Sequence, residues 1–553
     1  MSGPIHGIGV GTGSAAGPVA RMAPAPALPA PRAVTDPAAE AAAVRAALAA
    51  VVTDLTERAA RVHGPGSDVL AAQAMMAADP VLADEAAALV ERGTDGAHAL
   101  AGAFDGFRAA LAAAGGHFAE RTADLDDLRD RAVAHLLGLP VPGLPDPGHP
   151  YVLVAEDLAP ADTALLDPAR VLALVTVRGG PTSHTAILAK ALGVPAVVGC
   201  AGAVELSDGR PVLVHGADGL VEPDPSPEAV ERAAERERHR HELAAGVRGP
   251  GRTADGRPVA LLVNLGAPHE LAGAAAADAE GVGLFRTEFL FLDRTEAPGR
   301  AEQAAAYRKV FAAFAGRRVV VRTLDAGADK PLPFATAADE ENPALGVRGL
   351  RTAVRDPGLL ETQLAAIAEA AEAETAQVWV MAPMVSVPRE AAEFTARVRA
   401  HGLPVAGAMI EVPAAALRAD RLAEVCDFFS VGTNDLAQYA FAADRTLGSL
   451  AELLDPWQPA LLMLVAAAAR SAAAHGRPIG VCGEAAADPA LALVLVGLGI
   501  TSLSAAPAAL PEVRAALAAH TLAQCRELAE LALHAEDAAE ARGKVRSRIT
   551  AGR

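Results

Sequence analysis

The chain has 553 residues, of which 52% are hydrophobic and 3% aromatic, and its formal net charge is −19. This acidity disfavours a nucleic-acid binder, which needs a basic face against the phosphate backbone. The length predicts several domains, or fewer if one of them is a barrel of about 250 residues.

The sequence gives no sign of a membrane segment or a signal peptide. No apolar run reaches the roughly 18 residues that a membrane helix requires, and the N-terminus lacks a basic start followed by an apolar stretch. The four cysteines are far apart and form no CxxC pair, which argues against disulfides and a zinc site. We therefore expect a cytoplasmic protein with no membrane partner and no nucleic-acid partner.

The first half of the chain predicts an α/β domain interrupted by a helical bundle. A Gly-rich strand region opens the chain, and a pattern of about four helices runs from Asp36 to Gly138. The densely charged segment from Ser226 to Ala245 favours a solvated connecting helix at a domain boundary. Strands are predicted at Tyr151–Leu158, Val171–Val177, Pro195–Val198 and Pro211–His215.

The second half of the chain predicts a (β/α)8 barrel. Short apolar runs alternate there with helical or loop segments, and continuous apolar strands are typical of a parallel sheet covered on both faces. An open doubly wound sheet is the alternative. The eight runs are Val259–Leu265, Gly281–Arg286, Arg317–Asp325, Gln377–Met384, Pro404–Val412, Asp427–Thr433, Pro478–Glu484 and Ile500–Ala506.

Polar residues recur at the ends of these strands, which a barrel gathers on one rim. Carboxylate oxygens such as those of Glu411 and Asp435 are ligands that Mg²⁺ accepts, and arginines suit a phosphate or carboxylate. The pattern predicts a site for a small anion and a hard cation, with buried ion pairs bracing the barrel as the alternative. The rim residues are Arg286, Arg322, Asp325, Ser386, Glu411, Asn434, Asp435, Cys482, Glu484 and Ser504, joined from loops by Arg348 and Arg445.

A second constellation, VRGGPTSHTAILAKALGVPAVVG at residues 177–199, places His184 in the first turn of a predicted helix. The helix dipole disfavours a charged histidine there. It suits a neutral imidazole that carries a phosphoryl group, because the N–H groups of the first turn bind the dianion. A capping turn with an incidental histidine is the alternative.

The same segment, from GGPTSH onward, resembles the phosphohistidine signature of enzymes that use phosphoenolpyruvate (PEP). Further segments resemble enzyme I of the phosphoenolpyruvate:sugar phosphotransferase system. Together with the opening IHGIGVGTGSAAGPV they follow the family's order over nearly the whole chain. They are GVGLFRTEFLFLDR, VRTLDAGADKPLP, ENPALGVRGLR, GAMIEVPAAAL, DFFSVGTNDLAQYAFAADR and VCGEAAADP.

This resemblance implies a PEP-protein phosphotransferase that moves the phosphoryl group of PEP to its own His184 and then to a histidine of the phosphocarrier protein HPr. Pyruvate is released, and the transfer is the first step of sugar uptake. Cys482 would protonate the pyruvate enolate, and Glu411 and Asp435 would bind Mg²⁺. The family also implies a homodimer through the barrel. The implied substrate-binding residues are Arg286, Arg322, Arg348, Asn434, Asp435 and Arg445.

The resemblance also implies a multidomain α/β fold, in which a swivelling phosphohistidine domain with an inserted helical bundle precedes the (β/α)8 barrel. Because the chain begins directly at the phosphotransfer segment, we expect sugar uptake rather than nitrogen regulation. The expected parts are the phosphohistidine domain at 1–21 and 140–225, the helical HPr-binding domain at 22–139, a linker helix at 226–250, the barrel and dimerisation domain at 251–520, and a helical tail of unassigned role at 521–553.

Some positions depart from the family or leave alternatives open. Pro181 stands where the family usually has Arg, and Ala328 where it often has Gly. Met75 and Met76 resemble the family's apolar docking patch, although core packing is the favoured prediction for this pair. The competing functions are a pyruvate,phosphate dikinase or PEP synthase, which would need an ATP-binding domain, and a catalytically weak regulatory paralogue.

Overall fold

A computed structural model describes most of the chain as two compact units, Met1–Ala234 and Glu235–Arg553. Pro181 and Ala328 lie outside the described residues, and the finer division into five parts stays a prediction. The described residues are 3–11, 13–23, 25–61, 65–114, 122–158, 166–180, 184–292, 294–326, 332–336, 340, 342–445 and 447–551.

The first unit contains an eight-stranded sheet with the strand order β1-β8-β7-β3-β4-β5-β6-β2. The central strands β3 to β6 run parallel, and antiparallel strands flank them on both sides. The parallel strand β4 is buried throughout its sequence YVLVA, as expected for a strand covered on both faces. The strands are β1 Ile5–His6, β2 Ile8–Val10, β3 Ser14–Arg21, β4 Tyr151–Ala155, β5 Val171–Thr176, β6 Ala196–Val198, β7 Pro211–His215 and β8 Leu220–Pro223.

Five helices lie between β3 and β4 in the described part of this unit, and they share a core that includes Val44, Leu55, Phe104 and Leu128. The predicted bundle is therefore confirmed, with five helices in the described residues where the sequence pattern predicted about four. Two further helices follow β5 and β8. The helices are α1 Pro37–Arg61, α2 Pro65–Ala77, α3 Pro80–Glu91, α4 Gly96–Ala114, α5 Thr122–Leu137, α6 His184–Leu192 and α7 Pro227–Gly246, the last of which crosses the boundary between the units.

The second unit is built on a closed barrel of eight parallel strands. The barrel prediction is confirmed, and the open sheet is excluded because β16 pairs with β9. The strands are β9 Ala260–Leu265, β10 Gly281–Arg286, β11 Arg318–Arg322, β12 Gln377–Ala382, β13 Val405–Ile410, β14 Phe428–Val431, β15 Ile479–Val481 and β16 Ser502–Ala505. Most are shorter than the predicted runs, since polar residues such as Asp325 and Glu484 already belong to the following loops.

Helices surround this barrel, and several begin at a side-chain cap. Asp356 accepts the Gly358 N–H before α11, and Asp488 accepts the Ala490 N–H before α17, each at 2.9 Å. Proline follows both caps, as is common in a first helical turn. The helices are α8 Leu271–Ala276, α9 Arg300–Ala313, α10 Thr352–Arg355, α11 Pro357–Ala373, α12 Pro388–Ala400, α13 Pro413–Leu417, α14 Ala419–Leu422, α15 Thr433–Phe441, α16 Pro459–Ala474, α17 Pro489–Gly497, α18 Leu510–Ala519, α19 Leu522–Leu533 and α20 Ala538–Ala551.

The C-terminal tail is part of the barrel's core packing, which its sequence did not reveal. Helix α17 is apolar on all sides (PALALVLVG), and α18 and α19 cover it. Cys525 and Leu528 on α19 are buried against it. Arg542 on α20 bonds Asp455 at 2.5 Å. The tail therefore stabilises the barrel by burying a helix that would otherwise expose apolar surface.

No helix in the described residues is both long enough and apolar enough to cross a membrane.

Candidate functional site

Two neighbouring carboxylates hold Arg322, the last residue of β11. Its Nη2 lies 2.9 Å from Glu288 Oε1, and its Nη1 lies 3.2 Å from Asp325 Oδ2. Burial by itself would lower the pKa of Arg322, but these and further carboxylates raise it above the ordinary value. Arg322 therefore remains a fixed positive charge at the C-terminal rim of the barrel.

Arg348 lies in the long loop after β11 and is 4% exposed. Its Nη2 donates to Asp325 Oδ2 at 3.0 Å, and its Nη1 donates to Asp435 Oδ1 at 3.0 Å. The Nη1 also lies 3.1 Å from the hydroxyl of Tyr439. Burial opposes the charge of Arg348, yet its acidic neighbours raise its pKa. The same guanidinium thus joins the loop to α15.

Helix α15 and the turn that follows it bring three polar residues to the site from one short stretch of sequence. Asp435 and Tyr439 lie one helical turn apart and both meet Arg348. The helix ends at Phe441, and the next residue, Ala442, has a φ of 49° that turns the chain back. Arg445 then lies with its Nη1 3.7 Å from Asp435 Oδ2. Two arginines from separate loops therefore converge on the carboxylate of Asp435.

Glu411 follows β13 and is fully buried. Its Oε1 accepts the Met384 N–H at 2.6 Å, while Oε2 has no hydrogen-bond partner among the described residues. Burial, followed by the charges of Asp435 and Asp325, raises the pKa of Glu411 to about 8. A Cβ on Gly432 would lie 2.9 Å from Oε2, so the glycine leaves room beside that oxygen.

Cys482 follows β15 and is 3% exposed. Burial raises the pKa of its thiol, and a hydrogen bond with the Ser430 side chain offsets part of that effect. The thiol donates to the Val431 carbonyl across 3.6 Å. The Cys482 carbonyl accepts a hydrogen bond from Asn264 Nδ2 at 3.1 Å. Asn264 Oδ1 in turn accepts the Ser504 hydroxyl at 2.6 Å. Cys482 is therefore a protonated thiol at neutral pH, held inside the barrel.

The remaining predicted site residues are less closely connected. Arg286 ends β10 and is exposed, and Asn434 is half-buried in the first turn of α15. Ser386 bonds Arg351 at 2.9 Å rather than the acidic cluster. His184 is the first residue of α6, as predicted, but it belongs to the first unit and its side chain is outside the described part of the chain.

Comparison with known proteins agrees with this geometry. Residues 240–522 match the family described as the PEP-binding domain of PEP-utilising enzymes, residues 147–219 match the mobile domain, and residues 6–121 match the N-terminal domain. A phosphoenolpyruvate-protein phosphotransferase from Streptomyces coelicolor is 52% identical over 97% of this chain and 98% of its own length. The chain belongs to the phosphoenolpyruvate-protein phosphotransferase family.

Members of this family occur in distant organisms. The phosphotransferase from Haloferax volcanii is 42% identical over 87% of this chain and 87% of its own length. A solution structure of an enzyme I protein shares 26% identity over 43% of this chain and 99% of its own, with a TM-score of 0.39, which is too weak a structural likeness to add to the sequence match. The chain is thus a transferase that uses PEP.

The phosphotransferase family uses a divalent cation, and the oxygen ligands at the rim fit one. Glu411 Oε2 is buried and unpartnered among the described residues, and Asp435 lies close enough to raise the pKa of Glu411. No group of three or more His, Cys, Asp or Glu side chains suited to a metal occurs in that same part of the chain. Two carboxylates suffice for a cation that keeps several water ligands.

Two side chains at this phosphotransferase site were not predicted from the sequence. Glu288 bonds Arg322. The same oxygen of Glu288, Oε1, also accepts the Asp325 N–H at 3.1 Å. Tyr439 bonds Arg348. The position of each in the sequence indicates the site, because Glu288 lies two residues after Arg286 and Tyr439 lies four residues after Asp435.

Proposed function

We propose that this phosphotransferase moves the phosphoryl group of PEP to His184 and then to a histidine of HPr, releasing pyruvate. The observation that carries the proposal is the cluster of Arg322, Arg348 and Asp435 beside Glu411 Oε2, an oxygen with no hydrogen-bond partner among the described residues. A cluster with these charges suits an anion bound together with a divalent cation.

The substrate would be held mainly by arginines. Arg322 and Arg348 are already oriented by carboxylates, while Arg286 and Arg445 have more exposed positions on the same barrel unit. Guanidinium groups bind phosphate and carboxylate through paired N–H donors. We assign PEP binding to these four arginines, with Asn434 and Asp435 completing the substrate contacts.

In the transfer step, a neutral imidazole nitrogen of His184 attacks phosphorus in line. The bond between phosphorus and the bridging oxygen breaks, and its electron pair leaves with the enolate of pyruvate. The position of His184 at the start of α6 supports this role, because N–H groups of a first helical turn stabilise a phosphoryl group. Positive charge on the arginines stabilises the transferring group.

The enolate then takes a proton at C3, and we assign its source to the Sγ of Cys482. The raised pKa of this thiol keeps its proton available at neutral pH. The described neighbours of the thiol include Ser430 and the Val431 carbonyl. A thiolate formed by the transfer is stabilised by Ser430 and by the nearby charge of Arg322.

Glu411 and Asp435 would hold the divalent cation, which we propose is Mg²⁺. When bound, the cation supplies neutralising charge for the phosphoryl oxygens. The oxygen-only ligands favour Mg²⁺ over cations that prefer nitrogen or sulfur. Its binding would also relieve the repulsion between Glu411 and Asp435 that raises the pKa of Glu411.

We further propose that the helical bundle docks HPr, as the first step of sugar uptake. Met75 on α2 is 72% exposed, so the prediction of core packing is wrong for this residue, whereas Met76 packs against the bundle core. Val81 on α3 is also exposed. Flexible, exposed apolar side chains of this kind suit an adaptable protein contact.

The proposed homodimer would form through the barrel. Val354 on α10 is 86% exposed, and Leu417 on α13 and Met463 on α16 are also exposed. A contiguous exposed apolar patch marks a surface that another chain covers, and we propose that these side chains belong to such a patch. We also propose that the protein works in the cytoplasm, where its four free thiols remain reduced.

Incubation of the full chain with PEP and Mg²⁺, followed by addition of purified HPr, tests the function. We expect an acid-labile, base-stable phosphate on His184, its transfer to HPr, and one pyruvate for each phosphoryl group. His184→Ala should abolish the label and the transfer, while binding of PEP remains. A wild-type chain that never acquires the label would refute the proposal.

A further inference from the structure

Tyr439 connects the loop that carries Arg348 to helix α15. Its hydroxyl lies 3.1 Å from Arg348 Nη1 and donates to the carbonyl oxygen of Ala344. Ala344 belongs to a 3-10 turn at Pro343–Leu345, four residues before Arg348. One hydroxyl group therefore contacts both the guanidinium and the backbone of the same loop.

The direction of the two hydrogen bonds is determined by the groups involved. Arg348 has only N–H donors and the Ala344 carbonyl is only an acceptor. The hydroxyl must therefore accept from Arg348 and donate to Ala344. A phenylalanine at position 439 would lose both bonds while keeping the ring.

The described partners of Arg348 occupy four of its five N–H donors. Two bonds go to Asp325, one to Asp435 and one to Tyr439. The guanidinium plane is thereby held from three directions before any substrate binds. An anion that takes over one of these donors finds the others still in place.

We propose that Tyr439 is a positioning residue for PEP binding: its hydroxyl holds Arg348 and the 343–348 loop in the orientation that receives the substrate. This inference rests on the proposed function, and it adds a residue with no direct role in the chemistry. Loss of the hydroxyl leaves Arg348 charged and still paired with two carboxylates, so the arginine remains near the site. Its orientation is less restricted.

The chain provides matched controls, because it has three tyrosines in total. Tyr307 is buried in the same barrel unit, and its hydroxyl bonds Gln303 and Gln363, each at 3.0 Å. Tyr151 lies in the first unit and donates to the Pro145 carbonyl at 2.9 Å. Tyr307→Phe and Tyr151→Phe therefore remove the same atom without touching a site arginine.

The test compares PEP binding by calorimetry and steady-state turnover for the full-length wild type and the three Tyr→Phe variants. For Tyr439→Phe we expect PEP affinity to fall about 10-fold, as for the loss of one hydrogen bond to a charged group. KM should rise by a similar factor while kcat changes far less. Tyr307→Phe and Tyr151→Phe should bind PEP as the wild type does.

A double-mutant cycle asks whether the effect passes through Arg348. In an Arg348→Met background, Tyr439→Phe should cause no further loss of PEP affinity, since the group that it positions is absent. Additive losses would show that Tyr439 acts elsewhere and would overturn the inference.

Three further results distinguish a failure of the positioning role from a failure of the proposed function. Equal PEP affinity in Tyr439→Phe and Tyr307→Phe overturns the positioning role while the proposed function stands. A fall in kcat together with a melting temperature well below that of Tyr307→Phe assigns Tyr439 a merely structural role, and also overturns the inference. A wild type that does not bind PEP overturns the proposed function, and the inference with it.

Discussion

Two arginines on strand β11 have opposite surroundings. Arg318 begins the strand and Arg322 ends it, and residues four apart on a strand share one face. Arg318 lies 4.0 Å above the ring of Trp379, and burial lowers its pKa. Arg322 bonds Glu288 and Asp325, and its pKa is raised despite burial.

The two ends of strand β11 therefore stabilise a buried positive charge in different ways. A cation over an aromatic face is stabilised without a direct counter-charge. At the N-terminal end of the barrel, Arg318 packs over Trp379, and the charge of Glu280 offsets only part of the effect of burial on its pKa. At the C-terminal end, carboxylates bond the arginines, and two carboxylates of the rim are the proposed ligands of a cation. Under the proposed function, the arginines of the rim would exchange these partners for a charged substrate, whereas the opposite end would stabilise the barrel.

The largest effect is expected at the rim for Cys482→Ala. We predict that kcat falls by roughly 10²–10⁴, the usual loss for a missing general acid, while PEP affinity is unchanged. Turnover and calorimetric binding measure the two quantities. Cys426→Ala is the control, because Cys426 is buried next to β14. Equal turnover of the two variants would remove Cys482 from the mechanism.

The next largest effect is expected for Arg322→Met. Glu288 would lose its cationic partner, while Asp325 would keep Arg348. We predict a decrease of about 3 kcal/mol in the free energy of unfolding, the lower end for breaking a buried ion pair, together with weaker PEP binding. Urea unfolding measures the first quantity. A variant as stable as the wild type would contradict the assigned role of the carboxylates.

A smaller effect is expected in the pH dependence of stability without metal. The folded-state pKa of Glu411, about 8, is above its ordinary value of 4.5. Its contribution to stability is therefore fully present below pH 4.5 and is lost as the pH rises through about 8. The loss is on the order of 2 kcal/mol, because several carboxylates share the change.

Thermal unfolding of wild type and Glu411→Gln over this pH range tests that expectation. The wild type should lose stability as the pH rises, and the glutamine variant should lose much less. Mg²⁺ should restore the wild type most strongly at high pH, since the cation competes with the proton. Parallel curves for the two proteins would argue against a raised pKa of Glu411.

The smallest effect is expected for Arg318→Met, at the opposite end of β11. We predict a loss of about 1 kcal/mol in stability, comparable to a partly buried cation–π contact, and normal PEP binding and turnover. Trp379 fluorescence should respond to the substitution, since the guanidinium lies over its ring. A large fall in turnover would contradict the assignment of a purely stabilising role to the N-terminal end of the barrel.

The sequence predicted the barrel correctly, and it grouped residues of the rim, for a physical reason. Continuous apolar runs indicate parallel strands, and the C-terminal ends of parallel strands in a barrel lie on the same rim. Asp325, Glu411, Asp435 and Cys482 could therefore be grouped before any contact was known. The roles assigned to these residues stay predictions that the experiments above test.

Other features could not be predicted because they depend on packing. Nothing local distinguishes exposed Met75 from its neighbour Met76, since the exposed face depends on how α2 packs in the bundle. The tail pattern predicted an amphipathic helix but not its partner. That partner is α17, a helix whose fully apolar sequence requires cover on all sides.

The amino-acid sequence by itself determined the family, the succession of barrel strands along the second half of the chain and the residue types available for chemistry, because motifs and periodicity are local properties of the chain. Only the tertiary structure decided which charges meet. Arg348 and Asp435 are 87 residues apart in sequence, and Arg322 and Glu288 are 34 residues apart. Closure of the barrel brings them together, and burial then makes each charge dependent on its partner.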